Sequence, residues 1–388
     1  MTTFNPPLIR AAFFAAAPLA LHGWGRYTRD LIEALSVQGV AVTLITARDA
    51  PADPDLPLAS YHRLLPSLTP PRRFSTLRQF LALPAVGRAV KGCDLVHVVA
   101  EPYTLAAGFL RQPLVVTAHG TYLPQTAGGR WVGAIYRHAY RRAQIICVSR
   151  HTERHVHMAI PTAQTVVITN GIDAARLHVP SASHFDDEQP VIITLGQVKA
   201  RKGLHVLIAA MPAIRAVIPN VRALIIGNDR ADVGYTQSLH RQIAELGLAD
   251  HVRLMGRMDD SAVAETMQKA AVFALPAVSI GNQFEGFGLV YLEASAAGLP
   301  VIGTQNNGAE DAIRDGETGF LIPQNDPDAL AQAAIRLLRD SALRQKMGGA
   351  GRTFAETMTW DKAAARVRAV YTEVLLSHRA EGAHWASA

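Results

Sequence analysis

The sequence predicts an α/β chain built from two doubly wound, Rossmann-like domains facing each other across a cleft. Three observations carry this expectation. Short apolar runs alternate with stretches of helical spacing along most of the chain. The runs lack a period of two, as expected for parallel strands covered on both faces. The pattern also pauses once and then starts again.

In the first half the apolar runs lie at 9–16, 40–46, 95–99, 114–118, 145–148 and 165–168. Residues 25–37 have helical spacing and stop before Gly39, a natural helix terminator. The stretch 180–190 is polar, shows no apolar period and reads as an interdomain linker. The alternation resumes with strands at 191–195, 223–226, 252–255, 272–275 and 300–303. Helices are expected at 203–217, 235–246, 261–270, 289–297 and 329–339. A last helical stretch covers 360–377, with Ala363, Val367, Val370 and Leu375 on its apolar spacing. The expected divisions are therefore 1–180, 190–360 and a closing segment 361–388. Ligands of such sheets bind outside the carboxyl ends of strands, beside helix N-termini.

Composition removes several function classes. Of 388 residues, 49% are hydrophobic and 18% charged, which excludes a disordered chain. No apolar run reaches the length of about 18 residues that a membrane-spanning helix needs. The apolar stretch 8–21 reads as a buried first strand rather than an export signal. Cys93 and Cys147 each lie beside an apolar run, as reduced thiols of a cytoplasmic protein do. The net charge of +6 is dispersed, with short clusters only at Arg72-Arg73, Arg141-Arg142 and Lys199-Arg201-Lys202. Such charge suits phosphorylated small molecules or anionic lipid, and no nucleic-acid partner is expected.

Four segments carry chemistry. Glu285-Gly286-Phe287-Gly288-Leu289 ends in glycine at the start of a helical run, where free amides and the helix dipole favour an anion such as a diphosphate. Glu293 follows Glu285 by eight residues, about 12 Å if the span is helical. Two carboxylates so spaced could accept hydrogen bonds from the sugar and ribose ends of one ligand. In Gly196-Gln197-Val198-Lys199-Ala200-Arg201-Lys202-Gly203, Lys202 lies at a helix start, placed to neutralise a leaving diphosphate. In Thr117-Ala118-His119-Gly120, His119 ends a strand and is expected to point into the cleft. His22-Gly23-Trp24-Gly25-Arg26 misses a dinucleotide fingerprint, because its third glycine position is Thr28.

Taken in order, these segments resemble the retaining GT-B glycosyltransferases of family 4, the glycosyl transferases group 1. The resemblance spans nearly the whole chain. It is carried by the two glutamates Glu285 and Glu293 with seven residues between them, then Asn307-Gly308-Ala309-Glu310-Asp311 and Asp315-Gly316-Glu317-Thr318-Gly319. Ile145-Ile146-Cys147-Val148-Ser149 and Thr169-Asn170-Gly171-Ile172-Asp173 add to it. It implies a GT-B fold whose C-terminal helix crosses back to the first domain. It also implies transfer of a hexose from a nucleotide-diphosphate sugar to a hydroxyl of a glycan, lipid-linked or small-molecule acceptor. Cofactors are not expected, and no essential metal. By the resemblance Glu285 contacts the donor sugar, and Phe287, Gly288 and Leu289 offer amides to sugar or phosphate. Glu293 holds the ribose, Lys202 the diphosphate; His119 lies near the reacting sugar and Gly23 near the phosphates.

Two positions depart from the family pattern. Gln197 stands where an arginine is usual, so Arg201 or Lys199 would have to supply the missing charge. Asn307-Gly308 stands where a glycine pair is usual. Departure of the leaving group is expected to dominate the barrier, with front-face attack by the acceptor. Alternatives are a non-catalytic nucleotide-sugar binder, encouraged by Gln197, and a nucleotide-sugar epimerase on the same architecture. A nicotinamide oxidoreductase is disfavoured by the missing fingerprint. Asp53-Pro54-Asp55 lies in a proline-rich loop and reads as chance rather than a metal triplet. The aromatic and basic stretch 131–142 suggests peripheral contact with the inner face of the membrane, against a simpler reading as a packed helix. The acceptor is expected in first-domain loops such as 63–78.

Overall fold

The computed structural model describes residues 8–17, 23–51, 53–68, 75–130, 132–173 and 188–386, with side chains to 380. The described residues form two compact units that change over at Asn170/Gly171 and again at Thr359/Trp360. Of the linker read at 180–190, residues 180–187 lie outside the described residues.

The first unit holds seven strands: β1 (Ile9–Ala15), β2 (Val40–Ala47), β3 (Ser60–Leu65), β4 (Leu95–Val98), β5 (Leu114–Ala118), β6 (Ala143–Cys147) and β7 (Gln164–Val167). They pair in parallel in the order β3-β2-β1-β4-β5-β6-β7. Successive side chains of a strand point to opposite faces. Phe13 and Phe14 are both fully buried, so both faces of β1 are covered. That burial explains the unbroken apolar runs, and each such phenylalanine contributes roughly 1.5–3 kcal/mol. The covering helices include α1 (Gly23–Ser36), α2 (Ser75–Ala89), α3 (Thr104–Ala107), α4 (Tyr122–Ala127), α5 (Gly133–Arg141) and α6 (Arg150–Ala159). α1 buries Leu31, Ile32 and Leu35, and Ser149 caps α6 by accepting the Thr152 N–H.

The second unit holds β8 (Val191–Leu195), β9 (Arg222–Ile226), β10 (Val252–Gly256), β11 (Val272–Ala274), β12 (Val301–Thr304) and β13 (Gly319–Ile322). Their parallel order is β10-β9-β8-β11-β12-β13. Its helices are α7 (Leu204–Val217), α8 (Val233–Glu245), α9 (Asp260–Gln268), α10 (Leu289–Ala296), α11 (Pro327–Arg339) and α12 (Ser341–Thr357). Both units are thus doubly wound, with the reversal of strand order between β1 and β4 in one and between β8 and β11 in the other.

The last helix, α13 (Trp360–Ala386), belongs to the first unit. Ala364, Val367 and Tyr371 are buried, and Trp360 packs edge-on against Tyr27 at 5.4 Å. Gln38 donates to the Asp361 carbonyl at 2.8 Å, and Arg366 to the Val167 carbonyl at 2.6 Å. At the core of this packing the Tyr371 hydroxyl lies 2.6 Å from His97 Nδ1. His97 Nε2 lies 2.8 Å from Thr117 Oγ1, which meets the Tyr27 hydroxyl at 3.1 Å. Four buried polar side chains from α13, β4, β5 and α1 therefore satisfy one another.

Several elements depart from the sequence expectation. The stretch 63–78, expected as loop, begins in β3 and ends in α2; residues 69–74 lie outside the described residues. β3 pairs with β2 on one side only and carries Ser60, Tyr61, His62 and Arg63, so no apolar run announces it. α2 contains Pro84. α12 carries Gly348, Gly349 and Gly351, each costing about 1 kcal/mol of helix propensity relative to alanine. Packing explains Gly348: a Cβ there would lie 2.0 Å from the Gly298 carbonyl oxygen.

Candidate donor site

In a doubly wound sheet the loops leaving adjacent strands diverge where the order reverses, and a ligand fits between them. In the second unit those loops run from β8 to α7 and from β11 to α10. The first contains a 3-10 turn, Ala200–Lys202, and Gly203 at φ 66° capping α7. The Val278 N–H donates to the Arg201 carbonyl at 2.8 Å, tying the two loops together. A Cβ on Gly203 would lie 1.7 Å from the Pro276 carbonyl oxygen, so glycine is required by close approach as well as by φ.

This architecture brings Arg201, Lys202 and Glu285 together across 83 residues of sequence. Lys202 Nζ lies 2.6 Å and Arg201 Nη1 3.0 Å from the same oxygen, Glu285 Oε2. Lys202 and Glu285 are both buried. Burial alone would raise the Glu285 carboxyl, but Lys202 and then Arg201 hold it down at about 2. Burial pushes the Lys202 ammonium downward, against the pull of Glu285. Lys199 is also lowered, by burial first and then by Arg201. Two cations share the one Glu285 carboxylate oxygen, and Lys199 lies close enough to Arg201 and Lys202 to feel their charge. Gln197 is half-buried in the same loop, which the Val198 N–H ties to the Asn228 carbonyl at 3.1 Å.

Helix α10 starts one residue after Gly288, whose φ is 81°. The amides of Phe287, Gly288 and Leu289 take no hydrogen bond among the described residues. The Phe287 side chain is buried, which leaves its backbone as the group available to a ligand. The expected helical span from Glu285 to Glu293 is corrected here: Glu285–Gly288 is loop, and only Leu289 onward is helix. The 12 Å spacing therefore does not apply. Glu293 is buried on α10 rather than a surface side chain.

Gly308 presses against the back of this loop. Its N–H donates to the Glu285 carbonyl at 2.8 Å, and a Cβ there would lie 2.1 Å from the Gly286 oxygen. Asn307 accepts the Ala309 N–H and donates to Thr304 Oγ1. Of the two positions where the family has a glycine pair, only Gly308 is sterically constrained.

In the first unit Gly23 opens α1; His22 lies outside the described residues. His119 follows β5 and is held at two points. Its N–H donates to Glu101 Oε1 at 2.8 Å, and its ring Nε2 lies 3.0 Å from the Val99 carbonyl. Burial lowers the imidazole to about 4, so it is neutral at physiological pH. Trp24 and Tyr27 flank the ring. Glu101 was not singled out in the sequence, although a carboxylate directly after β4, at the reversal of strand order, is the signal that finds it.

Other sequence features resolve structurally. Asp53 is buried and paired with Arg29 at 2.8 Å, which gives Asp53-Pro54-Asp55 a packing role. No cluster of three or more His, Cys, Asp or Glu fit for a metal occurs among the described residues. In α5, Tyr136 and Tyr140 are buried in the core, so they are not available to lipid; Trp131 lies outside the described residues. No helix among the described residues is long and apolar enough to cross a membrane. Both cysteines are free thiols.

The model of glycosyltransferase family 4 matches residues 21–176, and that of glycosyl transferases group 1 matches 178–354. A phosphatidyl-myo-inositol mannosyltransferase of Mycobacterium leprae is 29% identical over 361 residues, 90% of this chain and 92% of the relative. A GDP-mannose-dependent alpha-(1-6)-phosphatidylinositol monomannoside mannosyltransferase of Mycolicibacterium smegmatis is 32% identical over 246 residues, 60% of this chain and 62% of the relative. Among solved structures, sucrose-phosphate synthase from Thermosynechococcus elongatus superposes with a TM-score of 0.78 at 24% identity, covering 95% of this chain and all of that one. An Anabaena protein crystallised with UDP and glucose gives 0.75 at 20% identity, covering 94% of this chain and all of that one. The two sheets share the GT-B architecture of these neighbours, and the chain belongs to glycosyltransferase family 4, the glycosyl transferases group 1.

Proposed function

We propose that this glycosyltransferase moves a hexose from a nucleotide-diphosphate sugar to a hydroxyl of a glycan, lipid-linked or small-molecule acceptor, with retention of configuration and without an essential metal. The observation that carries the reading is the Lys202–Arg201–Glu285 cluster beside the free amides at the start of α10. An ammonium and a guanidinium sharing one carboxylate oxygen can re-partner onto a diphosphate. Glu285 Oε1 is then left to accept a hydroxyl of the sugar. The amides of Phe287, Gly288 and Leu289, with the helix dipole, stabilise charge building on the leaving phosphate. Glu293 takes the ribose and Gly23 a phosphate oxygen. His119, neutral and flanked by aromatic rings, accepts from a hydroxyl of the transferred sugar. Arg201 and Lys199 supply the charge that Gln197 lacks.

The relatives' names put GDP-mannose first in a donor panel and an inositol-containing lipid first among acceptors. The test is release of nucleoside diphosphate with each donor, with and without acceptor, followed by assignment of the anomeric configuration of the product. Steady release that depends on acceptor supports the transferase. Donor isomerisation without acceptor identifies an epimerase, and saturable binding without turnover identifies the sensor that Gln197 would favour.

Peripheral contact with the inner face of a membrane is placed by this reading on α2 rather than α5. Leu77 and Leu81 are exposed on α2, and exposed Phe109 packs against Phe80 at 5.2 Å. Arg78 and Arg111 are exposed beside them. An apolar face rimmed by cations suits anionic lipid. Leu81→Asp should weaken flotation with anionic vesicles at low salt, whereas equal flotation of variant and parent would remove the assignment.

A further inference from the structure

Glu101 is a fully buried acid that the transfer chemistry above does not use. It opens the 3-10 turn Glu101–Tyr103 just after β4, and β5, which ends before His119, is the next strand of the sheet. Oε1 accepts the His119 N–H at 2.8 Å, and Oε2 is buried with no hydrogen-bond partner. The His119 ring returns to the same segment through Nε2, 3.0 Å from the Val99 carbonyl. A carbonyl only accepts, so Nε2 carries the hydrogen and Nδ1 keeps its lone pair. Residues 99–101 thus grip His119 by its backbone and by its ring, and Tyr27 packs edge-on against that ring at 4.6 Å.

We infer that Glu101 is a positioning residue for His119, whose side-chain oxygen Oε1 holds the His119 amide and thereby helps to aim Nδ1. The inference rests on the proposed placement of His119 beside the transferred sugar. The groups around Glu101 are poor partners for a carboxylate. Tyr140 of α5 donates to the Glu101 carbonyl at 3.3 Å, and Tyr136 of α5 and Gln79 of α2 donate to the Pro102 carbonyl. Tyr103 lies on the same turn, and its hydroxyl is spent on the Pro66 carbonyl. His119 is neutral. Burial lifts the Glu101 carboxyl to about 8, against the lowering effect of the His119 and Glu101 amides. Charging it leaves Oε2 buried without a donor, a cost that the stronger bond from the His119 amide to Oε1 does not offset.

Glu101→Gln and Glu101→Ala test this in the full chain. Glutamine keeps the carbonyl oxygen for the His119 amide and cannot ionise. We expect Glu101→Gln to retain kcat within about threefold at pH 7 and to lose the fall in kcat that the parent shows near pH 8. Glu101→Ala should lower kcat about tenfold or more while the donor KM changes little. Nitrogen-15 spectra of the imidazoles should show His119 fixed with hydrogen on Nε2 in the parent and in Glu101→Gln, and averaging between tautomers in Glu101→Ala. An unchanged alkaline fall in Glu101→Gln, or a His119 spectrum unaltered in Glu101→Ala, overturns the inference. The spectra read the positioning without turnover, so a chain that transfers no sugar would defeat the proposed function and leave this inference to be decided separately. Should Glu101→Ala fail to fold, the pH profile of Glu101→Gln still decides.

Discussion

Replacing Lys202 by methionine tests the donor site most directly. The substitution keeps the aliphatic stem, which packs beside Gly196: a Cβ built on that glycine lies 3.4 Å from Lys202 Cε. It removes the ammonium 2.6 Å from Glu285 Oε2. Loss of one preorganised donor to developing charge costs about 100- to 1,000-fold in kcat, or about 2.7–4 kcal/mol. The fold should suffer less. Breaking a buried pair usually costs about 3–5 kcal/mol because a charge is stranded. Here Arg201 Nη1 stays 3.0 Å from the same oxygen, so Glu285 keeps a partner and the loss should fall below that range. The assay has two arms, initial rates of nucleoside diphosphate release and melting with and without nucleoside diphosphate. In the parent, ligand at a hundred times its Kd adds about 2.7 kcal/mol. Lys202→Met should lose at least tenfold in kcat/KM and most of that ligand-induced stabilisation. Turnover and ligand stabilisation equal to the parent would refute the assignment of Lys202 to the diphosphate. A lower melting temperature with intact kcat would make the ion pair structural only.

Three further outcomes follow from the same geometry. Gly308→Ala should abolish donor binding while leaving far-ultraviolet circular dichroism unchanged, because a Cβ 2.1 Å from the Gly286 oxygen must displace the 285–288 loop; an unchanged donor KM would count against it. Lys202 and Arg201 hold the Glu285 carboxyl at about 2, below its ordinary 4.5, so its stabilisation is full above about pH 4.5 and is lost as pH falls through about 2. Over that window the difference in stability between parent and Glu285→Gln should shrink by up to about 3 kcal/mol, and a difference constant with pH in acid melting curves would contradict the pairing. Tyr371→Phe removes the hydroxyl 2.6 Å from His97 Nδ1 and leaves a buried ring nitrogen unpaired. A cost of about 1–3 kcal/mol is expected in denaturant titration, and a neutral result would mean that α13 is held by its apolar face alone.

Most strands of both sheets were legible because parallel strands buried on both faces need continuous apolar runs, as 9–16 and 114–118 show; edge strand β13 was not read as a strand. Edge strand β3 was not, since one-sided pairing lets Ser60, His62 and Arg63 occupy it. Helix α12 was hidden by three glycines, of which Gly348 has a tertiary reason, close approach to the Gly298 carbonyl. At the site, glycine before a helical run marked Gly288, and a basic loop marked Lys202. What spacing could not give was their relation to Glu285. The pairing joins residues 83 apart in sequence and is set by the reversal of strand order between β8 and β11. The helix expected at 289–297 matches α10, but the spacing from Glu285 to Glu293 was not legible, because Gly288 takes a left-handed conformation and Glu285 lies in the loop before it. The tether from His119 to Val99 and Glu101 was equally out of reach, since it depends on how the ends of β4 and β5 lie side by side.

Each unit has a buried glutamate in a loop beside the reversal of strand order, and the two are tuned in opposite senses. Around Glu285 two cations, Lys202 and Arg201, share one carboxylate oxygen, and the acid is held charged down to about 2. Around Glu101 two backbone amides are all that opposes desolvation, and the acid is held neutral up to about 8. A charged acid beside surplus cations is a resting partner that an incoming anion can displace, because the cations lose one negative ligand and gain another. A neutral acid offers no such exchange and can only hold geometry. Identical side chains at equivalent ends of two similar sheets are thus assigned different work by the cations around them. On the proposed reading, Glu285 responds to the donor and Glu101 keeps His119 still while it does.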